Sequence, residues 1–87
     1  MLYLYKVLAD ETEVTHSHYI KQDGVEKIIV HFERPTENGF DSARCELPKY
    51  EWISIDGYSG EEICEFEKFL KTDYEKIRES AMKRRQR

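Results

Sequence analysis

The three histidines of this 87-residue chain, His16, His18 and His31, are the residues whose spacing most directly suggests chemistry. They flank Asp23-Gly24, a dipeptide that favours a β-hairpin turn of two residues. Such a turn would place His16 opposite His31, with His18 beside them on the same sheet face. Directly opposed Cβ atoms lie about 4.5–5.5 Å apart, and three imidazoles at that separation could hold a zinc ion.

Two other interpretations of the histidines stay open. A three-residue loop with a bulge would move the pairing by one position and put His16 and His18 out of step with His31. Histidine is also common at half-exposed strand positions, and Glu33 is the one carboxylate expected nearby on that face, whereas metal-bound imidazoles usually have carboxylate partners. Metal binding is therefore the second alternative for function.

Other patterns typical of catalysis or cofactor binding do not occur in the sequence. It contains no P-loop, no GxGxxG and no CxxC. Cys45 lies in a predicted strand, where a small buried apolar residue fits better than a nucleophile. We therefore expect no enzymatic activity and no cofactor.

The histidines and Cys45 lie in segments that are predicted to be β-strands. Five segments combine β-favouring residues with apolar–polar alternation: residues 2–8, 13–21, 25–33, 40–47 and 50–55. Asp23-Gly24 connects the second and third segments, and Pro35 together with Asn38-Gly39 predicts a loop over residues 34–39.

The periodicity becomes helical after residue 57. The segment "SGEE", residues 59–62, has the form of a capping box, with Ser59 as N-cap and Glu62 as its partner. Apolar residues then recur along one stripe, at Ile63, Phe66, Leu70, Tyr74, Ile77 and Ala81. Acidic residues at the start and basic residues at the end complement the helix dipole.

Together these patterns predict an α+β fold in a single domain over residues 1–87. An antiparallel β-meander of about five strands, within residues 1–57, packs on one long C-terminal amphipathic helix over residues 59–84. A basic tail follows at residues 83–87. The helix can cover one face of the sheet, so the other face is left to solvent or to a partner.

Aromatic residues exceed what a core under one helix requires, with six tyrosines, four phenylalanines and one tryptophan. If Ile53 and Ile55 lie under the helix, Trp52 must face the open side of the sheet. Amphipathic aromatic side chains in such positions are typical of protein interfaces. The predicted interface consists of Tyr3, Tyr5, Tyr50 and Trp52.

Charge is distributed unevenly along the chain, whose net charge is −4. All 18 acidic residues lie within residues 1–82, whereas the last five residues include four basic ones. An acidic body disfavours general binding to phosphates. The alternative of nucleic-acid contact therefore rests on the tail residues Lys83, Arg84, Arg85 and Arg87.

The leading hypothesis is a small cytoplasmic protein-binding domain without catalytic activity. An acidic body without catalytic residues suits an inhibitor or accessory protein that occupies a basic groove on its partner. That partner would be another protein or a second copy of the chain. Two cysteines without an export signal favour a reducing compartment, and no apolar run reaches the roughly 18 residues of a membrane span.

Overall fold

Alternating apolar residues and a capped amphipathic segment produce the two layers of this fold. In the computed structural model residues 1–84 are described, and they form six strands and one helix. The elements are β1 (Tyr3–Val7), β2 (Glu13–His16), β3 (Ile20–Gln22), β4 (Val25–Thr36), β5 (Gly39–Leu47), β6 (Glu51–Asp56) and α1 (Gly60–Lys83). The predicted α+β fold, an antiparallel meander packed on a C-terminal helix, is confirmed.

All strand pairs are antiparallel, in the order β1-β2-β4-β5-β6, and β3 also pairs with β4. β4 is the longest strand and contacts β2 and β3 along one side and β5 along the other. Successive strands therefore pair with each other, except that β2 and β3 follow one another along the same side of β4.

The core lies between the inner face of the sheet and α1. Phe32 of β4 is completely buried, and its ring stacks on Phe66 of α1 with ring centroids 4.2 Å apart. Other buried residues of the sheet are Val14, Ile28, Val30, Ala43, Cys45 and Leu47. The buried residues of the helix are Ile63, Phe66, Leu70, Ile77 and Ala81, which belong to the stripe that the sequence predicts.

The helix starts at its predicted N-cap and ends at Lys83, within the predicted limit at residue 84. The hydroxyl of Ser59 accepts a hydrogen bond from the amide of Glu62, and the Glu62 carboxylate accepts one from the amide of Ser59. Arg84 is the C-cap. Within residues 1–84, no helix combines the length and the apolar character that crossing a bilayer requires.

A bulge interrupts the strand predicted over residues 13–21. Ile20 pairs with Lys27, as the two-residue Asp23-Gly24 turn requires, but Thr15 pairs with His31. Residues 17–19 face residues 28–29, so this side of the ladder holds one extra residue. Ser17 fills the gap, because its amide donates to the carbonyl of Ile29 at 2.9 Å and its hydroxyl accepts from the amide of Ile29 at 3.0 Å. The predicted pairing of His16 with His31 is therefore wrong.

The loop predicted over residues 34–39 is shorter than expected. β4 continues to Thr36, with Arg34 opposite Asp41 and Pro35 opposite Phe40. β2 begins at Glu13, opposite Glu33, so β2 does not pair with β4 beyond that residue. Proline is tolerated at such an edge position because it has no N–H to leave without a partner.

Gly57 should be the glycine least tolerant of a side chain. Its φ is +95°, and a Cβ atom there would lie 2.1 Å from Oδ1 of Asp41. We expect Gly57→Ala to lower the free energy of unfolding by about 1–3 kcal/mol, because the backbone would be strained and Asp41 displaced. Gly60→Ala is the matched control, since a Cβ atom there meets nothing within 4 Å. Urea denaturation should show Gly60→Ala equal to or more stable than the parent, and equal losses in both variants would contradict the expectation.

Candidate functional site

One arginine joins four parts of the fold at the end of the sheet nearest the start of α1. Arg34 of β4 donates from Nε and Nη2 to Oδ2 of Asp41 on β5, at 3.1 and 2.6 Å. Its Nη1 donates to Glu62 of α1 at 2.6 Å and to Asp10 of the β1–β2 loop at 3.1 Å. The planar guanidinium suits such divided contacts, because its donors point outward in a fixed fork.

The electrostatics of this cluster favour its charged forms. Hydrogen bonds to Glu62 and Asp41 raise the pKa of Arg34. The hydrogen bond from Arg34, followed by that from the Ser59 amide, lowers the pKa of Glu62. Burial acts to raise the pKa of Asp10, but hydrogen bonds from Thr12 and Arg34 outweigh it, so the pKa is lowered. One cation shared by three carboxylates leaves the cluster net negative.

An aromatic ring and a buried threonine complete the attachment of the β1–β2 loop. The guanidinium of Arg34 lies 4.7 Å from the centre of the Tyr58 ring, close enough for a cation–π contact. The Tyr58 hydroxyl lies 3.1 Å from Oγ1 of Thr12, and both residues are buried. The amide of Leu8 donates to the carbonyl of Thr12 at 2.8 Å, which closes the loop on itself. The loop is therefore held at both ends beside the first turns of α1.

Between this loop and the helix lies a depression of about 340 Å³, here named the β1–α1 groove. Its floor is apolar and consists of Leu8, Ala9, Phe66 and Phe69. Its rim is acidic and consists of Asp10, Glu62 and Glu65. A volume of this size matches small binding pockets, which are mostly apolar with a few placed polar groups.

The histidines do not meet on one face. His16 is fully buried under α1, where its Nδ1–H donates to the carbonyl of Ser17 at 2.7 Å and its Nε2 lies 2.9 Å from the Ser80 hydroxyl. His18 lies half-buried in the bulge. His31 is on the outer face, where burial and then Arg44 lower its pKa. Within residues 1–84 no group of three or more ligating side chains is placed to hold a metal ion, so the predicted three-histidine site is wrong.

Trp52 faces the helix rather than the open side of the sheet. Its Nε1 donates to Glu67 of α1 at 3.1 Å, and its ring lies 5.9 Å from that of Phe32. Ile53 and Ile55, which were expected under the helix, are 50% and 48% exposed. The pairing of β5 with β6 shifts between Arg44 and Cys45, and this irregularity breaks the simple alternation on which the prediction depended.

The three tyrosines predicted with Trp52 also lie on the helix side. The Tyr5 hydroxyl donates to Asp73 of α1 at 2.7 Å. Tyr50 belongs to the β5–β6 turn, with a φ of 57°, and its ring centre lies 6.3 Å from that of Tyr74. Tyr3 pairs with His16. These residues flank the core and do not form the exposed patch that the sequence predicts.

The basic tail is described only at its start. Lys83 ends α1, and the guanidinium of Arg84 lies 4.8 Å from the centre of the Tyr3 ring. Arg85 and Arg87 lie outside the described residues. The nucleic-acid role of this tail stays a prediction.

The Cys45 thiol is completely buried, and burial, followed by the charges of Glu67 and Glu46, raises its pKa to about 12. It is therefore neutral near pH 7 and packs as an apolar side chain. Cys64 is exposed on α1, and the two cysteines are not bonded to each other.

No protein-family model, curated protein or solved structure matches this chain. Function is therefore inferred from the geometry of the molecule itself.

Sequence reasoning missed the groove because its parts are far apart along the chain. Asp10 lay between two predicted strands and Arg34 in a predicted loop, and no local pattern connects either with Glu62. Phe69 offered one available signal: it follows Phe66 by three positions, which places a second aromatic ring beside the predicted stripe.

Arg34→Met should show how much the carboxylate cluster stabilises the fold. We expect a loss of about 1–3 kcal/mol in the free energy of unfolding, between the values for exposed and buried ion pairs. The control is Lys68→Met, because Lys68 and its partner Glu65 are 75% and 72% exposed and their contact should contribute under about 1 kcal/mol. Chemical denaturation of both variants tests this, and equal stabilities would contradict it.

Glu26 should make stability depend on acid pH. Hydrogen bonds from Arg78 at 2.9 Å and Tyr19 at 2.6 Å lower its pKa to about 2. The unfolded chain therefore takes up this proton first, and stability should fall as pH drops from about 4.5 to about 2. Carboxyl NMR titration reads the pKa of Glu26 directly. Glu26→Gln should reduce the pH dependence in that window, and an unchanged profile would exclude this carboxylate as a source.

Proposed function

We propose that this chain is a small protein-binding domain that receives an apolar side chain of a partner protein in the β1–α1 groove. The observation that carries the proposal is an apolar floor, formed by side chains of both the loop and the helix, that is open to solvent beside fixed charges. Interfaces concentrate their binding energy in such pockets, where an inserted anchor residue is fully desolvated.

The rigidity of the groove walls supports this proposal. The helix wall begins at a complete capping box, and the loop wall is tied to it through Arg34 and Tyr58. A site that is ordered before binding loses less conformational entropy when the partner arrives. The groove therefore needs little rearrangement to accept a side chain.

The cell compartment forms part of the same proposal. Cys45 and Cys64 are free thiols, which supports a reducing environment. We place the action of the domain in the cytoplasm, without catalysis, as an accessory or inhibitory subunit whose effect comes from occupying its partner.

Variants of the groove residues should distinguish specific partner binding from nonspecific association. The tagged protein captures partners from its source cells, and bound proteins are quantified by mass spectrometry for each variant. We expect Ala9→Trp, which fills the groove from an exposed position, and Leu8→Asp, which places a charge on its floor, to lose a shared partner. Val25→Asp is the control, because Val25 is 54% exposed at the opposite end of β4.

Loss of the same partner from both groove variants, with retention by Val25→Asp, would support the proposal. Melting temperatures establish that each variant is folded, and Ala9→Trp remains informative even if Leu8→Asp is unstable. Retention of every partner by a folded Ala9→Trp variant would contradict binding through the groove.

A further inference from the structure

We infer that the occupant of the β1–α1 groove is a basic segment of another protein, in which an apolar anchor residue is flanked by lysine or arginine. The inference rests on the proposed function and adds the chemistry of the partner. It follows from the combination of an apolar floor with a lining whose charged residues, Asp10, Glu62 and Glu65, are all acidic.

The rim carboxylates are only partly neutralised by their surroundings, which also include Lys6, whose Nζ lies 5.9 Å from the centre of the Phe69 ring. Asp10 and Glu62 share Arg34 with Asp41, so three carboxylates divide one cation among the described residues. Glu65, the third rim residue, has a 72% exposed side chain and contacts Lys68 at 3.4 Å, a pair that is itself open to water. Exposed pairs of this kind bind weakly, so the Glu65 carboxylate is free to accept a stronger partner.

The Arg34 contacts keep two rim carboxylates charged and in place. Asp10 and Glu62 are ionised at neutral pH, as carboxylates ordinarily are, and the hydrogen bonds from Arg34 that fix them on opposite walls of the groove also lower their pKa values. An anchor residue in the floor would exclude water from the rim. Cationic groups beside that anchor would then form charge-assisted hydrogen bonds, which are shorter and stronger than neutral ones.

The same charges disfavour other occupants. Phosphate groups and acidic segments would meet like charge at the rim, and close juxtaposition of like charges opposes binding. The chain's own basic residues Lys83 and Arg84 lie at the far end of α1. Phe69, the groove residue furthest along α1, precedes Lys83 by 14 residues, about 21 Å of helix, so Lys83 and Arg84 lie outside the groove of their own chain.

Selection from a library of random displayed peptides tests the inference and requires no purified partner. Peptides are selected on the full chain and counter-selected on Ala9→Trp, so that only groove-dependent sequences are retained. We expect these sequences to share a large apolar residue with lysine or arginine within a few positions.

Charge-reversal variants then test the rim directly with one selected peptide. We expect Glu65→Lys to weaken its affinity about tenfold, the effect of one strong charge-assisted contact. Glu79→Lys is the matched control, because Glu79 is exposed on α1 away from the groove, and it should change affinity by less than about twofold. Calorimetry in low and high salt should show weaker binding in high salt.

The outcomes distinguish the two proposals. Groove-dependent peptides without an excess of basic residues would overturn the inference and leave the proposed function standing. Complete failure to recover groove-dependent peptides would overturn the proposed function itself. A peptide of residues 81–87 that binds as tightly as the selected peptides would overturn the assignment to another protein, because it would point to a second copy of this chain.

Discussion

The end of the molecule that carries the groove depends on one arginine with more anionic partners than it can neutralise. Arg34 ties the β1–β2 loop, β5 and the start of α1 to β4. Elsewhere the sheet and the helix are held mainly by apolar contacts, which do not fix direction, together with separate hydrogen bonds such as those of Tyr5 with Asp73 and Trp52 with Glu67. A guanidinium fork fixes direction because each donor needs an acceptor in its own plane. Arg34 and its carboxylate partners therefore determine both the shape of the groove and the charge of its rim.

Half-buried aromatic residues cover the parts of the sheet that the single helix leaves uncovered on its two sides. One helix covers the middle of a sheet and leaves apolar margins on both flanks. Tyr5 and Trp52 lie at these margins, with rings against the core and polar atoms bonded to Asp73 and Glu67 of α1. Such side chains tolerate a boundary because one end is apolar and the other is polar. The aromatic excess thus widens the contact between the two layers.

Local patterns predicted the architecture well, because capping residues, turn dipeptides and periodicity act over a few residues. The capping box at Ser59 and the Asp23-Gly24 turn lie where expected. The positions of the candidate site residues could not be predicted from such local patterns. A single extra residue at 17–19 moves His16 into the core, and a second irregularity opposite Ile53 places Trp52 under the helix. Bulges are decided by the fit of both strands and both layers together, and this information is not present in either strand alone.

The placement of charge along α1 affects how the molecule is oriented before it contacts another molecule. Glu61 and Glu62 occupy the first turn and Lys83 the last, and the carboxylates around Arg34 add to the negative end. The side-chain charges at the two ends of α1 therefore form a dipole that opposes, and exceeds, the helix macrodipole of about half an elementary charge at each end. In the field of a positively charged surface this dipole experiences a torque that rotates the groove end of the molecule toward that surface. If the groove binds a basic partner as proposed, this torque acts within about a Debye length, about 8 Å at physiological salt, and shortens the rotational search for a productive encounter.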